Sequence, residues 1–499
     1  MRSKIYCQSA YNSYMLFFKN KIRLRFAPSP TGFLHLGSLR AALFTYLLAK
    51  SRKGRFILRI EDTDQKREVS GATDNLIKVL RTVGLEFDEG PHCGGKYGPY
   101  IQTGRLGIYK QQADRLLQTG QAYRCFCSPE RLTKMRAAQE ADKQPPRYDR
   151  LCRELSVAES DRRAAAGDSF VIRQKMPTNG EVTVFDELRG NIKFSAADLD
   201  DQVLMKSDGI PTYQLANVID DHLMKISHVT RGDEWLPSFP KNILLYRAFA
   251  WTAPKFIHLP LILNKEGGKL SKRQGDVFVE DYLAKGYLPE ALINFSALLG
   301  WHPKNDKEIW SLKELKKEFS LSGLGASPAI FDAEKLDYYN GYYIRQKSLS
   351  ALADLCRPYL EAAGRPVKEK DKLEKYVSLA QDRMKKLIDI VELTDFIFAL
   401  PDYNSELLGW KTLTPESAKN NLQILKTELE KITAEKWNKD YLEKTVLAWI
   451  KNRQEKNGDH LWPMRVALTG LKNSPGPFET AAALGREESL KRIAKAIKI

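Results

Sequence analysis

Residues 22–27 (IRLRFA) interleave apolar and basic positions and predict a strand buried on at least one face. His35 to Lys50 then places Leu36, Leu39, Leu43, Tyr46 and Leu47 at spacings of three and four, the pattern of an amphipathic helix. Gly54 ends that helix, and residues 56–60 (FILRI) read as a second strand. Strand, helix and strand within about forty residues make a βαβ unit, which predicts a parallel sheet with a right-handed crossover. Residues from about 103 to 204 are helical and then mixed, include the polar stretch 134–163, and predict an insertion between two halves of that sheet. The α/β texture returns at 202–206 and continues through 226–230 and 256–263. From about residue 346 to 499 the strand-like alternation disappears. Stretches rich in Lys, Glu and Leu predict a separate all-α domain, so the α/β domain is placed at 22–345.

Composition narrows the class. At 499 residues the chain exceeds what a single hydrophobic core organises, and about two to four domains are expected. With 43% hydrophobic and 28% charged residues it reads as an ordinary globular protein. No apolar run approaches the ~18 residues of a membrane-spanning helix, so no membrane partner is expected. The net charge of +17 favours a polyanionic partner such as nucleic acid. Part of the excess is local, because no acid precedes Glu61, but subtracting the four cations before Ile22 still leaves +13. Residues 1–21 combine Arg, Lys and Ser with no acid, and their longest apolar stretch, 15–18, is too short for a secretory signal. That composition fits a mitochondrial presequence and a location in the matrix; a disordered basic arm is the alternative. Six cysteines are too sparse for a disulfide scaffold and fit a reducing compartment or the mitochondrial matrix.

Chemistry concentrates where the predicted strands end, the place where open α/β sheets bind ligands. After the first strand come Pro28, Pro30 and Gly32, then His35 and Gly37 at the mouth of the helix. A helix N-terminus carries unpaired N–H groups and partial positive charge that suit phosphate. His35 adds a donor, and Gly37 lets a ring or ribose lie against the backbone. No Gly-x-Gly-x-x-Gly or Walker pattern fills this turn, which counts against a dinucleotide fold or a P-loop enzyme. The second element is residues 267–275 (GGKLSKRQG), a basic loop with glycines on both sides, suited to closing over a triphosphate. Each taken alone has a plain reading: a chance His-Leu-Gly triplet and a lysine-rich surface turn.

Together, in this order and about 230 residues apart, the two resemble the HIGH and KMSKS signatures of class I aminoacyl-tRNA synthetases. Residues 25–32 (RFAPSPTG), 61–64 (EDTD), 206–213 (KSDGIPTY), and Asn217 with Asp220-Asp221-His222 resemble the glutamyl-tRNA synthetase family in particular, in its mitochondrial form. The likeness is dense from Arg23 to about Arg345, with a weaker echo at 462–470 (WPMRVALTG). It implies a Rossmann-like class I catalytic domain with an inserted connective domain, a stem-contact region at about 276–345, and a helical anticodon-binding domain.

The resemblance also implies roles. Arg25 and Arg231 match positions that hold substrate carboxylates, Glu61 the acid facing the α-ammonium, and Tyr213, Asn217, Ser29 and Ala27 the pocket wall. For ATP the pattern carries over to Pro30, His35, Gly37, Glu234 and the five residues Lys269, Leu270, Ser271, Lys272 and Arg273, with His35, Lys269 and Lys272 catalytic. Two signatures depart from the pattern: Ser38 stands where HIGH has its second histidine, and the lysine loop reads KLSKR. The implied reaction is formation of glutamyl-adenylate from L-glutamate and ATP with Mg²⁺, then transfer to the terminal ribose of tRNA-Glu, by a monomer serving mitochondrial translation. Charging of tRNA-Gln as well stays open, as does a catalytically silent tRNA-binding paralogue. Cys125, Cys127 and Cys152 resemble a zinc site of some family members, with Glu154 or Tyr148 as fourth ligand; buried thiols without metal are the alternative. Trp410, Trp437 and Trp449 offer stacking surfaces for bases, with core packing as the plainer role.

Overall fold

The computed structural model describes residues 22–64, 67, 69–270 and 277–499. The proposed presequence 1–21 and Ser271, Lys272 and Arg273 of the lysine loop lie outside the described residues. Two compact units emerge: one runs to Asp281 and adds Ile293–Asp332, the other joins Tyr282–Leu292 to Ala333–Ile499.

The first unit carries the strands β1 (Arg23–Phe26), β2 (Arg55–Leu58), β3 (Ala122–Cys125), β4 (Val171–Gln174), β5 (Glu181–Asp186), β6 (Gly190–Ser195), β7 (Val203–Met205), β8 (His228–Gly232), β9 (Lys255–Leu259), β10 (Ile262–Leu263) and β11 (Ala329–Ile330). Its main sheet has the order β2-β1-β8-β9-β5-β6, parallel throughout except for the β5–β6 hairpin at one edge. Helix α1 (Leu36–Ser51) is the crossover from β1 to β2, as its periodicity predicts. Three further helices matter for the site: α2 (Leu106–Gln118), α3 (Tyr213–Leu223) and α4 (Phe239–Ala248). An apolar core including Ile57, Tyr109, Leu215, Val229, Leu245 and Phe256 joins α2, α3 and α4 to the sheet.

Three details differ from the sequence expectation. Strand β7 does not resume the parallel sheet; it pairs antiparallel with β4 and completes a separate sheet, β3-β4-β7. The β5–β6 hairpin, inside the stretch read as an insertion, instead joins the main sheet through Asp186 and Phe256. Residues 256–263 are two strands, β9 and β10, because Pro260 between them has no N–H to continue a ladder.

In the second unit every element is helical, from Ala333–Arg345 to Arg486–Lys498. Its buried cores centre on Leu352, Val377 and Met384, and on Leu422, Val446 and Met464. Trp437 is buried there and donates its indole N–H to the Ala481 carbonyl (2.9 Å), so core packing is its role. Trp410 is partly exposed and stacks on Trp462, with Arg465 over the latter ring.

Candidate active site

The loops that follow β1 and β2 are tied together by their backbones. Arg59 N donates to the Phe26 carbonyl (3.0 Å) and Glu61 N to the Pro28 carbonyl (3.0 Å). This ladder sets Glu61 beside the 27–30 turn at the carboxyl ends of both strands. Behind it lies a buried ionic network. Arg59, fully buried, contacts Glu61 Oε1 through Nη2 (2.9 Å), Asp221 Oδ1 through Nη1 (2.7 Å) and Asp220 Oδ2 through Nε (3.7 Å). Arg25 Nε reaches Asp221 Oδ1 (2.9 Å) and Arg105 Nε reaches Asp220 Oδ1 (2.7 Å). Tyr109 (2.8 Å) and Gln102 (3.0 Å) donate to Asp220 Oδ2. Three guanidiniums thus face three carboxylates, Glu61, Asp220 and Asp221, so the network closes without net charge. Burial opposes ionisation of Asp221, but Arg25 and Arg59 hold its pKa below the ordinary value. For Glu61 burial wins and pushes the pKa up against Arg59 and Arg25.

Helix α3 contributes a second edge. Residues 213 and 217 lie one turn apart, and Asn217 turns its amide oxygen to the Tyr213 hydroxyl (3.2 Å) and Arg25 Nη2 (3.1 Å), its nitrogen to Asp221 Oδ2 (3.3 Å). Tyr213 stacks on Trp235 with ring centroids 4.3 Å apart. Its hydroxyl lies within electrostatic range of Glu61, Arg231 and Arg25 together. The structure therefore gathers Arg25, Glu61, Tyr213, Asn217 and Arg231 at one place, with Ala27 half-buried and Ser29 exposed on the turn above.

Arg231 differs from Arg25 and Arg59. It is 6% exposed, and among the described residues no carboxylate reaches it. Its Nε donates to His258 Nε2 (2.9 Å), and Nη1 and Nη2 to Asn242 Oδ1 (3.2 and 3.3 Å). Burial lowers its pKa from the ordinary value and nearby Arg25 adds to that, outweighing Tyr213 and the more distant Asp221.

At the mouth of α1, His35 is the N-cap, and its Nδ1 accepts from Gly37 N (3.0 Å). The expectation of unpaired N–H groups there is corrected. Leu36 N donates to the Val277 carbonyl (2.8 Å), and Ser38 N and Leu39 N to the His35 carbonyl (2.9 Å each), so all four leading donors are taken. What His35 offers outward is Nε2–H, since the Nδ1 lone pair is used inward. Burial and Lys269 both lower its pKa, which keeps the ring neutral. A side chain at position 37 would bring Cβ to 3.3 Å from His35 Nδ1, so Gly37 makes room for this cap.

Lys269 is exposed on a hairpin: it bridges Leu263, and Asn264 closes the turn by accepting from Gly268 N (2.8 Å). Leu270 is buried beneath it and Pro30 is buried on the opposite loop. Glu234 opens the 3-10 turn after β8 and folds over Gly232, where a Cβ would come within 2.1 Å of its Oε2.

In the antiparallel sheet, the sulfurs of Cys125, Cys127 and Cys152 all lie within 4.8 Å of one another. Tyr148 Oη stands 3.2 Å from Cys125 Sγ and 3.5 Å from Cys127 Sγ. Arg131 donates to Cys127 Sγ (3.4 Å), and Arg173 sits 4.0 Å over the Tyr148 ring. The hydrogen bond from Cys152 holds the Cys125 thiol down at about 4, while Cys152 is pushed up in turn. Three sulfurs and a phenol gathered this closely fit a tetrahedral metal. The Glu154 side chain is 89% exposed and pairs with Arg153 (3.9 Å), so of the two expected fourth ligands it is Tyr148 that lies against the sulfurs.

Two family descriptions account for the chain: "tRNA synthetases class I (E and Q), catalytic domain" over residues 21–338 and "Anticodon binding domain" over 351–497. The chain belongs to the class I tRNA synthetase (E and Q) family. It is 46% identical over 483 residues to the glutamate–tRNA ligase of Clostridium botulinum strain Eklund 17B, covering 96% of this chain and 99% of that one. The glutamate–tRNA ligase of Clostridium acetobutylicum is also 46% identical, over 95% and 98% of the two chains. A crystal structure of a glutamate tRNA ligase from Elizabethkingia meningosepticum in complex with its amino acid superposes with a TM-score of 0.88 at 37% identity, over 96% and 99% of the chains. Glutamate-tRNA synthetase from Elizabethkingia anophelis gives 0.87 at 37%, over 96% and 100%. The class I catalytic fold and helical anticodon-binding domain expected from the synthetase signatures are therefore what the chain has.

Residues outside the signatures complete the site: Arg59, Arg105, Gln102, Tyr109, Asn242, His258 and Asp186. Arg59 carried a signal, a charge inside an apolar strand; the others did not. Replacing Arg59 by Met keeps its length but leaves Glu61 and Asp221 buried without their shared cation. The first unit is then expected to lose about 3–5 kcal/mol, read as a lower urea midpoint; an unchanged midpoint would show that the network does not stabilise it.

Proposed function

We propose that the pocket of Arg25, Glu61, Tyr213, Asn217 and Arg231, with Ala27 and Ser29, holds free glutamate. ATP is assigned to Pro30, His35, Gly37, Glu234, and Lys269 through Arg273. The chain attaches glutamate to tRNA, the activity named for relatives that match it over nearly their whole length. The observation that carries the pocket assignment is Arg231, a buried guanidinium whose protein partners are all neutral, beside Arg25, Glu61 and Tyr213.

In the proposed reaction an oxygen of the α-carboxylate bonds to the α-phosphorus of ATP, and the bond to the β-phosphate bridging oxygen breaks. Pyrophosphate leaves with that electron pair. The ribose hydroxyl at the tRNA terminus then displaces AMP from the glutamyl carbonyl. Mg²⁺ supplies charge compensation on the phosphates when bound. The residues' own work is positioning and electrostatics. Glu61 takes the ammonium, the two arginines the carboxylates, and His35 Nε2–H and the lysines the phosphate charge. The tRNA-Glu partner suits the basic body, with tRNA-Gln as a second acceptor to be tested and a monomer as the working unit.

Because the His35 cap and its outward N–H are separate functions, two variants divide them. His35→Asn keeps a cap and should retain stability while ATP–pyrophosphate exchange falls at least about tenfold; His35→Ala should also lose about 1 kcal/mol of stability. Equal exchange in His35→Asn and the parent chain would remove His35 from the ATP site. Charging of purified tRNA-Glu and tRNA-Gln side by side tests the acceptor: the tRNA-Glu product is expected, and product on tRNA-Gln alone would overturn the assignment.

Zinc is proposed at Cys125, Cys127, Cys152 and Tyr148. Elemental analysis should find about one zinc per chain, lost in Cys127→Ser; a metal-free parent chain would leave these as structural thiols. Matrix location is proposed from the acid-free basic composition of residues 1–21, all but the last of which precede the family match starting at 21. Residues 1–40 fused to a fluorescent protein should direct it to mitochondria, and a diffuse signal would refute the location.

A further inference from the structure

Arg231 is held by a chain of neutral acceptors, and the partners of those acceptors show how. Asp186, at the end of β5, accepts from both Nδ1 (2.8 Å) and the backbone N (3.0 Å) of His258 through Oδ2. Its other oxygen accepts from Leu188 N (2.9 Å) and Arg189 N (3.0 Å), so the carboxylate is clamped by four donors. Nδ1 of His258 must therefore carry the proton. Nε2 is left as a lone pair, and it accepts from Arg231 Nε. His258 is fully buried, and Arg231 and His258 are direct neighbours on the parallel strands β8 and β9. On the far side of the guanidinium, Asn242 Oδ1 accepts from both terminal nitrogens, while its own Nδ2 is buried and finds no hydrogen-bond partner among the described residues. The rings of Phe256 (5.1 Å) and Phe239 (5.8 Å) fill the remaining space around Cζ.

This is an expensive way to hold an arginine. Aspartate at position 242 would have the same shape, leave no orphan donor and pair the cation. The amide fixes the guanidinium but does not neutralise it. His258 and Asn242 take three of its five N–H groups and the Tyr213 hydroxyl also bonds the guanidinium; all three partners are neutral, so the cation keeps nearly its full charge. We infer that Asp186, His258 and Asn242 are positioning residues that orient Arg231 through neutral acceptors only, reserving its charge for the carboxylate of bound glutamate, and so set the preference for glutamate over glutamine. The inference rests on the assignment of Arg231 to the glutamate pocket.

The test measures KM for glutamate, KM for ATP and the glutamate/glutamine ratio of kcat/KM, by ATP–pyrophosphate exchange with the full chain and tRNA. Asn242→Asp, which is isosteric, should keep the parent melting temperature or exceed it. Its KM for glutamate should rise at least about thirtyfold with KM for ATP within about twofold, and its preference over glutamine should collapse. His258→Leu, which deletes the acceptor, should raise KM for glutamate at least about tenfold, and His258→Gln, whose Oε1 replaces Nε2, should recover most of it. If Asn242→Asp or His258→Leu leaves the glutamate KM and the preference unchanged while Arg231→Gln impairs both, the positioning role is wrong and the pocket assignment stands. If Arg231→Gln also leaves them unchanged, the pocket assignment itself falls and takes the inference with it. Equal losses for glutamate and ATP in Asn242→Asp would reduce these residues to scaffolding and overturn the inference.

Discussion

Taking the Arg59 guanidinium out of water costs several kcal/mol unless carboxylates meet it, and the arrangement of β1, β2 and α3 supplies them. Arg59 leaves the end of β2 and finds Glu61 two residues on and Asp221 from α3. Because Arg25 shares Asp221, both strand ends are tied to the helix: moving α3 breaks two buried ion pairs, and moving either strand end breaks one of them. Arg105 and Asp220 extend the same logic to the segment before α2. The network is costly to assemble and costlier to open, which makes it a rigid floor for a pocket. Arg25 and Glu61 belong both to that floor and to the surface above it.

The nucleotide side is built on a different principle. His35 spends its inward nitrogen on capping α1, so the helix does not offer phosphate the free N–H groups that a bare N-terminus would. Its contribution is narrowed to one directed donor on a ring kept neutral by burial and by Lys269. Lys269 stands exposed on a hairpin, where Asn264 holds the turn. Under the proposed assignment, fixed geometry for the amino acid and the exposed Lys269 for the triphosphate suit their chemistries. Discriminating a carboxylate from an amide requires preset donors, whereas phosphate charge can be met by a solvated point charge.

The start of the fold was legible because the hydrophobic period changes from strand to helix and back within 22–60, and no tertiary information is needed to see it. The β5–β6 hairpin was not. Its alternation of buried and exposed residues is what any antiparallel hairpin shows, and only the register of Asp186 against Phe256 assigns it to the main sheet. Ala27, Ser29, Pro30 and Glu61 stood out because they follow strand ends, whereas Arg25 and Arg231 lie within β1 and β8, and Tyr213 and Asn217 on α3, and only the family resemblance marked them. Asp186, Asn242 and His258 were not legible, since each belongs to a different element from Arg231 and no local pattern of spacing or charge marks it. The run Asp220-Asp221 at the end of an apolar helix did carry a warning: two adjacent acids on a helix buried by its own pattern demand cations, and Arg59 was the charge out of place in a neighbouring strand.

Under the proposed assignment, the choice between glutamate and glutamine reduces to donor counting. A guanidinium has donors and no acceptor. A carboxylate offers it two acceptor oxygens and a charge; an amide offers one oxygen and an NH₂ that faces other donors. Were Arg231 paired with a carboxylate of the protein, much of that difference would vanish, because the charge would already be met and the amide would lose only a hydrogen bond. Arg231 is instead buried, oriented and left with neutral acceptors, so the amide substrate would forfeit both the ion pair and an N–H contact. The same feature that burdens the unliganded protein, a buried cation without an anion among the described residues, is what separates two substrates of almost identical size.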